Sequence, residues 1–136
     1  MTVRVHQAGG RFEEIASYAR AKRVGPFVYV AGTTAIEPSG KIHVPGDTGA
    51  QTVFILNRIE EFLNEVGAKK HHVMRVRCYL TDLGEAAGFV RAHGAFFKGI
   101  TPVLTAVQAQ LTQPGLMVEI DVDAIIHDES GAISLT

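Results

Sequence analysis

Apolar and polar residues alternate most regularly near the C-terminus, between residues 118 and 126. Every second position there is apolar, and the positions between them include three acidic residues: Glu119, Asp121 and Asp123. Successive side chains on a β-strand point to opposite faces of the sheet. The pattern therefore predicts a strand with one face in the core and one face that is wet or functional.

The stretch before it, residues 103–111, has the same period, and Thr112–Gly115 contains Pro-Gly, a strong turn signal. We predict a hairpin that joins the two strands through this turn. In the resulting register Ala106 meets Asp121 and Leu104 meets Asp123 on the polar face. The opposite face of this hairpin is so apolar that helices must pack over it.

The remaining pattern predicts further strands and two helices. Val53, Leu56, Ile59, Leu63 and Val66 recur at three- and four-residue spacing, which marks a helix with a wide apolar stripe. The predicted strands span residues 2–6, 18–24, 27–31 and 73–81. The first predicted helix is capped by Asp47 or Thr48 and ends at Gly67, and the second runs from about Gly84 to Lys98. This order predicts an α+β fold, or an α/β fold on a mixed sheet, with both helices on one face.

Composition limits the classes of function. The chain has 136 residues, 46% of them hydrophobic, and we predict one domain with its core in about residues 18–126 and a loose polar tail at 127–136. The net charge of −1 argues against a general electrostatic footprint for nucleic acid or membrane. No apolar run suits a membrane helix, no signal-peptide pattern is present, and the single Cys78 cannot form an intramolecular disulfide, so we expect a cytoplasmic protein.

Several charged residues have both a structural and a functional interpretation. The acidic row formed by Glu119, Asp121 and Asp123 has two interpretations. It is either a solvated strand face, or it provides a carboxylate near a substrate for proton transfer or for holding a water molecule. Arg75 and Arg77 share one face of their strand, where they can pair with this row or bind an anionic ligand. The structural pairing ranks first.

The histidines and the cysteine favour structural interpretations. His93 lies among Phe residues on a helix face, which is typical of a packed or hydrogen-bonded histidine. Cys78, on an apolar strand face, is typical of an inert core thiol. His71 and His72 are neighbours on an extended segment and point to opposite faces, so they make a poor metal site and we expect no metal.

The chain resembles the Rid family of small trimeric proteins, also called the YjgF/UK114 family. The resemblance covers roughly Tyr18 to Ile126 and rests on several blocks in the right order. These blocks are YARAKRVGPFVYVAGTTA, AQTVFILNRIEEFLNEVGA, VMRVRCYLTDL, RAHGAFF and PVLTAVQAQL with MVEIDVDAI. The resemblance implies a chorismate-mutase-like fold: a six-stranded mixed sheet with two helices on one face. It also implies that three such sheets form a barrel with ligand clefts between subunits.

The resemblance further implies a site. The characterised branch of the family hydrolyses 2-imino acids and their enamine tautomers without a cofactor, and one of its arginines clamps the substrate carboxylate. That position is Leu104 here, so the chain resembles a branch without the clamp. The implied catalytic residues are Tyr18 and Asp121, the latter as the carboxylate that helps to hold the hydrolytic water. The implied ligand-binding residues are Gly32, Thr33, Val90, His93, Leu104, Thr105 and Ala106. Tyr18, Gly32, Leu104, Ala106 and Asp121 are expected to line one pocket, joined by residues of the second helix such as Val90 or His93 from a neighbouring subunit.

Two main functions remain open. The first is a homotrimeric hydrolase or deaminase that acts on imine- or enamine-like C–N bonds but poorly on standard 2-imino acids, because Leu104 has no hydrogen-bond donor. The alternative is a non-catalytic trimer that binds a small ligand between its subunits. Endoribonuclease activity or translation inhibition is less favoured, because the chain is nearly neutral and lacks an aromatic and basic platform.

Overall fold

The computed structural model describes residues 2–133 and has a single six-stranded mixed sheet at its centre. The strand order is β1-β2-β3-β6-β4-β5. The strands are β1 (Val3–His6), β2 (Ala21–Val24), β3 (Phe27–Thr34), β4 (Val73–Leu80), β5 (Val103–Gln108) and β6 (Val118–Ile125). The helices are α1 (Arg11–Ala16), α2 (Thr48–Glu65) and α3 (Ala86–Phe96), with short 3-10 helices at Lys70–His72 and Leu83–Glu85.

The predicted hairpin between the last two strands is wrong. β5 pairs in parallel with β4, whereas β6 lies between β3 and β4 and is antiparallel to both. The Pro-Gly segment still turns the chain, with Gly115 at a φ of 93°. It does not fold β6 back onto β5, because the chain crosses from the edge of the sheet to its centre. Alternation defines the two faces of a strand but does not identify the strands beside it.

The apolar face of β6 explains its central position. Val118, Ile120, Val122 and Ala124 are each at most 1% exposed and belong to the main core cluster. A strand at the edge of the sheet, such as β5, leaves all its residues exposed in the protomer. The free energy gained from burying apolar surface therefore favours placing β6 between two strands and beneath α2.

A buried glutamine on α2 fixes the loop that leads into β6. The Gln51 Nε2 group donates to the carbonyl oxygens of Gly115 (2.8 Å) and Val44 (3.2 Å), and the Met117 N–H donates to Gln51 Oε1 (2.8 Å). Gln51 is fully buried. Because both ends of the amide are paired, its burial leaves no unsatisfied polar group. The three hydrogen bonds hold the loop against α2 where the chain enters β6.

The two long helices pack on one face of the sheet, as predicted. The Asp47 side chain caps α2 by accepting from the Ala50 N–H (2.9 Å), and Gly67, at a φ of 88°, follows the end of the helix. Ile55, Leu56, Ile59, Phe62 and Leu63 of α2 are buried, as are Phe89 and Phe97 at α3. Val53 was predicted to belong to the buried stripe but is 51% exposed. Within residues 2–133, no helix combines the length and the hydropathy needed to cross a membrane.

Two segments are more regular than the sequence indicated. The apolar pattern predicts no element between residues 7 and 17, but residues 11–16 form α1. The described part of the tail, residues 127–133, forms a closed turn. There the Asp128 N–H donates to the Ala132 carbonyl (2.9 Å), and Asp128 Oδ1 accepts from the Ser130 N–H (2.9 Å). The rest of the predicted tail, residues 134–136, lies outside the described residues.

The burial of His93 predicts acid sensitivity. Its ring lies between Phe89 and Phe97, and burial lowers the pKa of the imidazole. An unfolded chain binds the proton near the ordinary pKa of about 6.5, but the folded protein resists it, so stability falls as the pH drops below that value. We expect a His93→Leu variant to gain stability relative to wild type as the pH is lowered from 8 to 5.

Thermal unfolding at several pH values measures this difference. His72, whose pKa is also lowered by burial, is present in both proteins, so the comparison isolates His93. A difference in stability that does not change with pH would show that His93 does not titrate on unfolding.

Candidate functional site

The structure gathers three of the predicted site residues around one arginine that the sequence analysis did not single out. The Arg20 Nη2 group donates to the Gly32 carbonyl oxygen, to Thr33 Oγ1 (3.2 Å) and, more weakly, to the Ala31 carbonyl (3.4 Å). Its guanidinium carbon also lies 5.7 Å from the centre of the Tyr18 ring. We refer to Tyr18, Arg20, Gly32, Thr33 and Glu119 as the Arg20 cluster.

Glu119 joins this cluster because of an irregularity in the sheet. The register between β3 and β6 shifts between Val30 and Thr33, so Ala31 and Gly32 form a β-bulge. A Cβ atom on Gly32 would overlap the Glu119 carboxylate oxygen Oε2. Glycine at this position is therefore what lets the carboxylate lie directly against the backbone of the bulge.

The Glu119 carboxyl is partly buried, and burial is the main cause that raises its pKa. The negative charge of Asp121 raises the pKa further, and the positive charge of Arg20 opposes both effects. Within residues 2–133, the Glu119 side chain forms neither a hydrogen bond nor an ion pair. This carboxyl is consequently more easily protonated than an exposed one and is free to meet a ligand.

Asp121 has a different environment. Its two oxygens accept from Arg77 Nη1 (2.6 Å) and from the Tyr79 hydroxyl (2.9 Å), and Arg77 also binds Asp123 (3.1 Å). Arg75 lies 4.0 Å from Asp123. The predicted pairing of the two arginines with the acidic row is thus confirmed. The hydrogen bond to Asp121 is also the main cause that raises the pKa of Tyr79.

Leu104 and Ala106 do not share a pocket with Asp121 in the protomer. They stand in register with Val76 and Cys78, whose side chains are buried on the helix side, whereas Asp121 stands in register with Arg77 on the open face. The prediction that these three residues share one strand parity is therefore wrong. It rested on the hairpin pairing, and the true neighbour of β5 is β4. Thr105 shares the open face with Arg77, at the exposed edge.

The two predicted residues of α3 also lie apart from the Arg20 cluster. Val90 is 61% exposed, so it is available to a ligand or to a partner. His93 is only 9% exposed, and its ring centre lies 5.4 Å from that of Phe89 and 4.8 Å from that of Phe97. In the protomer His93 is a packed core residue. Cys78 is likewise buried, and burial raises the pKa of its thiol to about 12.

Two surface cavities are present on the protomer. One of about 440 Å³ adjoins the Arg20 cluster and is lined by residues that include Tyr18, Lys22, Tyr29 and Ala31. The other, of about 570 Å³, lies between the starts of α2 and α3 and includes Arg91. Of the predicted site residues, Tyr18 lines the first of these two cavities. Among residues 2–133, no group of three histidine, cysteine or acidic side chains is arranged to hold a metal.

Sequence reasoning missed the roles of Arg20, Glu119 and Tyr79. Gly32, directly after a predicted strand, did indicate a close approach of the backbone. What approaches it is Glu119, and this depends on the pairing of β3 with β6 across about ninety intervening residues. No local signal in the sequence identifies that partner.

Comparison with known proteins identifies the family. The family model described as endoribonuclease L-PSP matches residues 9–126. A RutC family protein of Pyrococcus abyssi is 31% identical over 115 residues, which cover 85% of this chain and 89% of the relative. The crystal structure of a YjgF/UK114 family member from Mycobacterium tuberculosis is 37% identical, with a TM-score of 0.83 over 92% of this chain and 100% of that chain.

A second solved structure agrees. A YjgF family protein from Neisseria meningitidis is 28% identical, with a TM-score of 0.76, and the match covers 94% of this chain and 98% of that chain. The residues that the family model matches, 9–126, include the strands and helices that carry the predicted site residues. The chain belongs to the endoribonuclease L-PSP family, which is the YjgF/RutC/Rid family that its sequence resembles.

Proposed function

We propose that this protein is a homotrimer whose intersubunit clefts bind a small molecule with an imine- or enamine-like C–N bond and hydrolyse that bond without a cofactor. One observation carries the proposal: Tyr18 and Gly32 lie on one surface of the protomer, and Leu104 and Ala106 lie on another. The Arg20 cluster adjoins an open cavity, and Leu104 and Ala106 lie on the exposed edge strand β5. A neighbouring copy would bring the two surfaces together.

The exposed edge of the sheet supports trimerisation. Val103, Leu104 and Val107 of β5 are 57%, 44% and 45% exposed, and no strand pairs with the outer side of β5 among residues 2–133. An apolar edge strand with unpaired backbone groups tends to associate with another chain. Among residues 2–133, no layer covers the open face, because α2 and α3 both lie on the other side.

Hydrolysis in such a cleft requires a carboxylate that positions water against the C–N carbon. β6 supplies two acidic groups next to Gly32. Asp121 is held by Arg77 and Tyr79, which fixes its oxygens in place, and Glu119 is not held in this way. Both side chains point from the open face, where a ligand bound beside Tyr18 would meet them.

The cleft would lack a strong site for a substrate carboxylate. Leu104 occupies the position of the clamping arginine in the resemblance, and it offers no donor. Two nearby arginines are already engaged: Arg77 binds Asp121 and Asp123, and Arg20 binds the bulge. A carboxylate taken from water without a partner loses substantial free energy. The natural ligand is therefore proposed to lack the carboxylate of a 2-imino acid or to carry its charge elsewhere.

Ligand binding without catalysis is the second candidate. The apolar Leu104 and Ala106 favour it, because they remove polar groups from the surface that would face the ligand. A hydrolysis assay on imines with and without a carboxylate separates the two candidates. Binding without release of a carbonyl product would identify a binding protein.

The first prediction of this proposal is a trimer in solution. Light scattering should give about three times the chain mass of 14.7 kDa. A Val107→Asp variant should dissociate, because it places a charge on the exposed apolar edge, whereas Val53→Asp on the outer side of α2 should remain trimeric. A wild-type protein that stays monomeric across micromolar concentrations would refute the proposal.

The second prediction concerns the missing clamp. Wild-type protein should hydrolyse 2-iminopropionate or 2-iminobutyrate slowly or not at all. A Leu104→Arg variant should raise the rate by roughly ten- to a hundredfold, because a charged hydrogen bond is worth about 1.5–3 kcal/mol and ~1.4 kcal/mol is a factor of ten. The measurement is the release of 2-keto acid from imines generated in situ, with a clamp-bearing family member as the positive control.

The matched control is Val103→Arg, which adds the same charge one residue away on the opposite face of β5. It should leave the rate near that of wild type. A wild-type rate comparable to that of the clamp-bearing relative would show that another arginine performs this role.

A further inference from the structure

We propose that the cavity between the starts of α2 and α3 is a second binding site, and that it takes a small α-amino acid with an apolar side chain. The cavity has a volume of about 570 Å³. It shares no lining residue with the Arg20 cluster or with the cavity beside that cluster. The inference goes beyond the proposed hydrolysis and does not depend on it.

Two helices begin side by side at this cavity. Gly49 of α2 and Gly88 of α3 are in close contact, since a Cβ atom on Gly88 would lie 2.9 Å from the Gly49 nitrogen. The positive ends of two helix dipoles therefore lie at one cavity. The Asp47 side chain caps α2 at the Ala50 N–H, but no side chain within residues 2–133 caps α3. First-turn N–H groups without a cap are donors that can bind a ligand carboxylate.

A buried hydroxyl next to these N–H groups is an independent indication of a ligand. Thr48, the first residue of α2, lines the cavity and is only 4% exposed. Its Oγ1 atom is buried and has no hydrogen-bond partner among residues 2–133. A buried hydroxyl without a partner costs free energy. A ligand carboxylate in the cavity would supply the acceptor that the Thr48 hydroxyl lacks.

The charges on the wall indicate a zwitterion rather than a simple anion. Arg91 lines the cavity, and a guanidinium can bind a carboxylate through two parallel hydrogen bonds. Asp47 and Glu85 also line it, so the wall carries one positive and two negative side chains. None of the three forms an ion pair within residues 2–133. Two carboxylates attract the ammonium group of an amino acid, whereas they repel a dianion such as phosphate.

The loop before α2 adds a fixed apolar surface to the wall. Gln51 Nε2 and the Asp47 N–H donate to the Val44 carbonyl oxygen, at 3.2 Å and 3.1 Å. These bonds hold Val44 at a φ of 37°, a conformation that β-branched residues rarely adopt. Val44 and Pro45 both line the cavity. Their side chains favour a ligand whose own side chain is apolar, and the fixed loop lowers the cost of binding it.

The test measures the binding of L-leucine to the intact protein, followed through the amide signals of isotope-labelled protein by NMR. We expect a Kd below about 10 mM, because both charged groups of the ligand find partners. Two probes each remove one of these groups: leucinamide lacks the carboxylate, and isocaproate lacks the ammonium. Each should bind at least about tenfold more weakly than L-leucine.

Variants of the wall locate the binding. Arg91→Gln should weaken the binding of L-leucine by about tenfold or more, because a charge-assisted hydrogen bond is lost. Thr48→Val keeps the shape of the side chain but removes the hydroxyl, so it should weaken binding in the same direction. Arg11→Gln removes an arginine from α1, outside the cavity, and should leave the Kd near that of wild type.

Glu85→Gln separates a charge contact from a merely structural effect. It should weaken the binding of L-leucine, because an attraction for the ammonium group is lost. It should strengthen the binding of isocaproate, because a repulsion of the carboxylate is also lost. Glu85 and Arg91 are both exposed, so these two substitutions test the site without removing a buried group.

Several results would overturn the inference. One is no binding of L-leucine at about 10 mM, and another is equal binding of L-leucine and the two probes that lack one charge. A wild-type Kd in Arg91→Gln, or signal changes around Gly32 instead of Gly49 and Gly88, would place the ligand elsewhere. Inorganic phosphate that binds more tightly than L-leucine would show a simple anion site and would refute the zwitterion.

Discussion

The structure depends on the position of β6 between β3 and β4. The apolar face of this strand is completely buried, which requires both long helices to lie on the same side of the sheet. β3 and β4 are each antiparallel to β6, so they run parallel to one another, and α2 provides the connection between them. The buried amide of Gln51 then holds the loop that brings the chain into this central position.

The same strand builds the core and the candidate site. Its even-numbered residues fill the core, and its odd-numbered residues present the three carboxylates to the open face. These carboxylates are not equivalent, because Arg77 neutralises Asp121 and Asp123 but not Glu119. The bulge at Ala31 and Gly32 adds a second difference, since it makes room for the Glu119 carboxyl. A regular alternating pattern thus produces chemically distinct groups through their neighbours.

The protomer presents its candidate residues as two incomplete surfaces. One holds Tyr18 and the bulge, and the other is the edge strand with Leu104. Several apolar residues exposed together on an edge strand mark a surface that another chain can cover. In the proposed trimer, the contact that buries the edge strand would also close the cleft.

The sequence by itself determined which residues of β4, β6 and, apart from Val53, α2 face the core, and about where the long helices begin and end. Alternation on β4 and β6, the spacing along α2 and the cap at Asp47 depend on neighbouring residues, so they can be read locally. The pairing of Arg77 with the acidic row was also predictable, because alternation places each of them on the polar face of its strand. Tertiary structure alone decided that β5 joins β4 and that Glu119 meets Gly32. Both depend on the order of strands in the sheet, and that order is set by the burial of distant surfaces rather than by any local pattern.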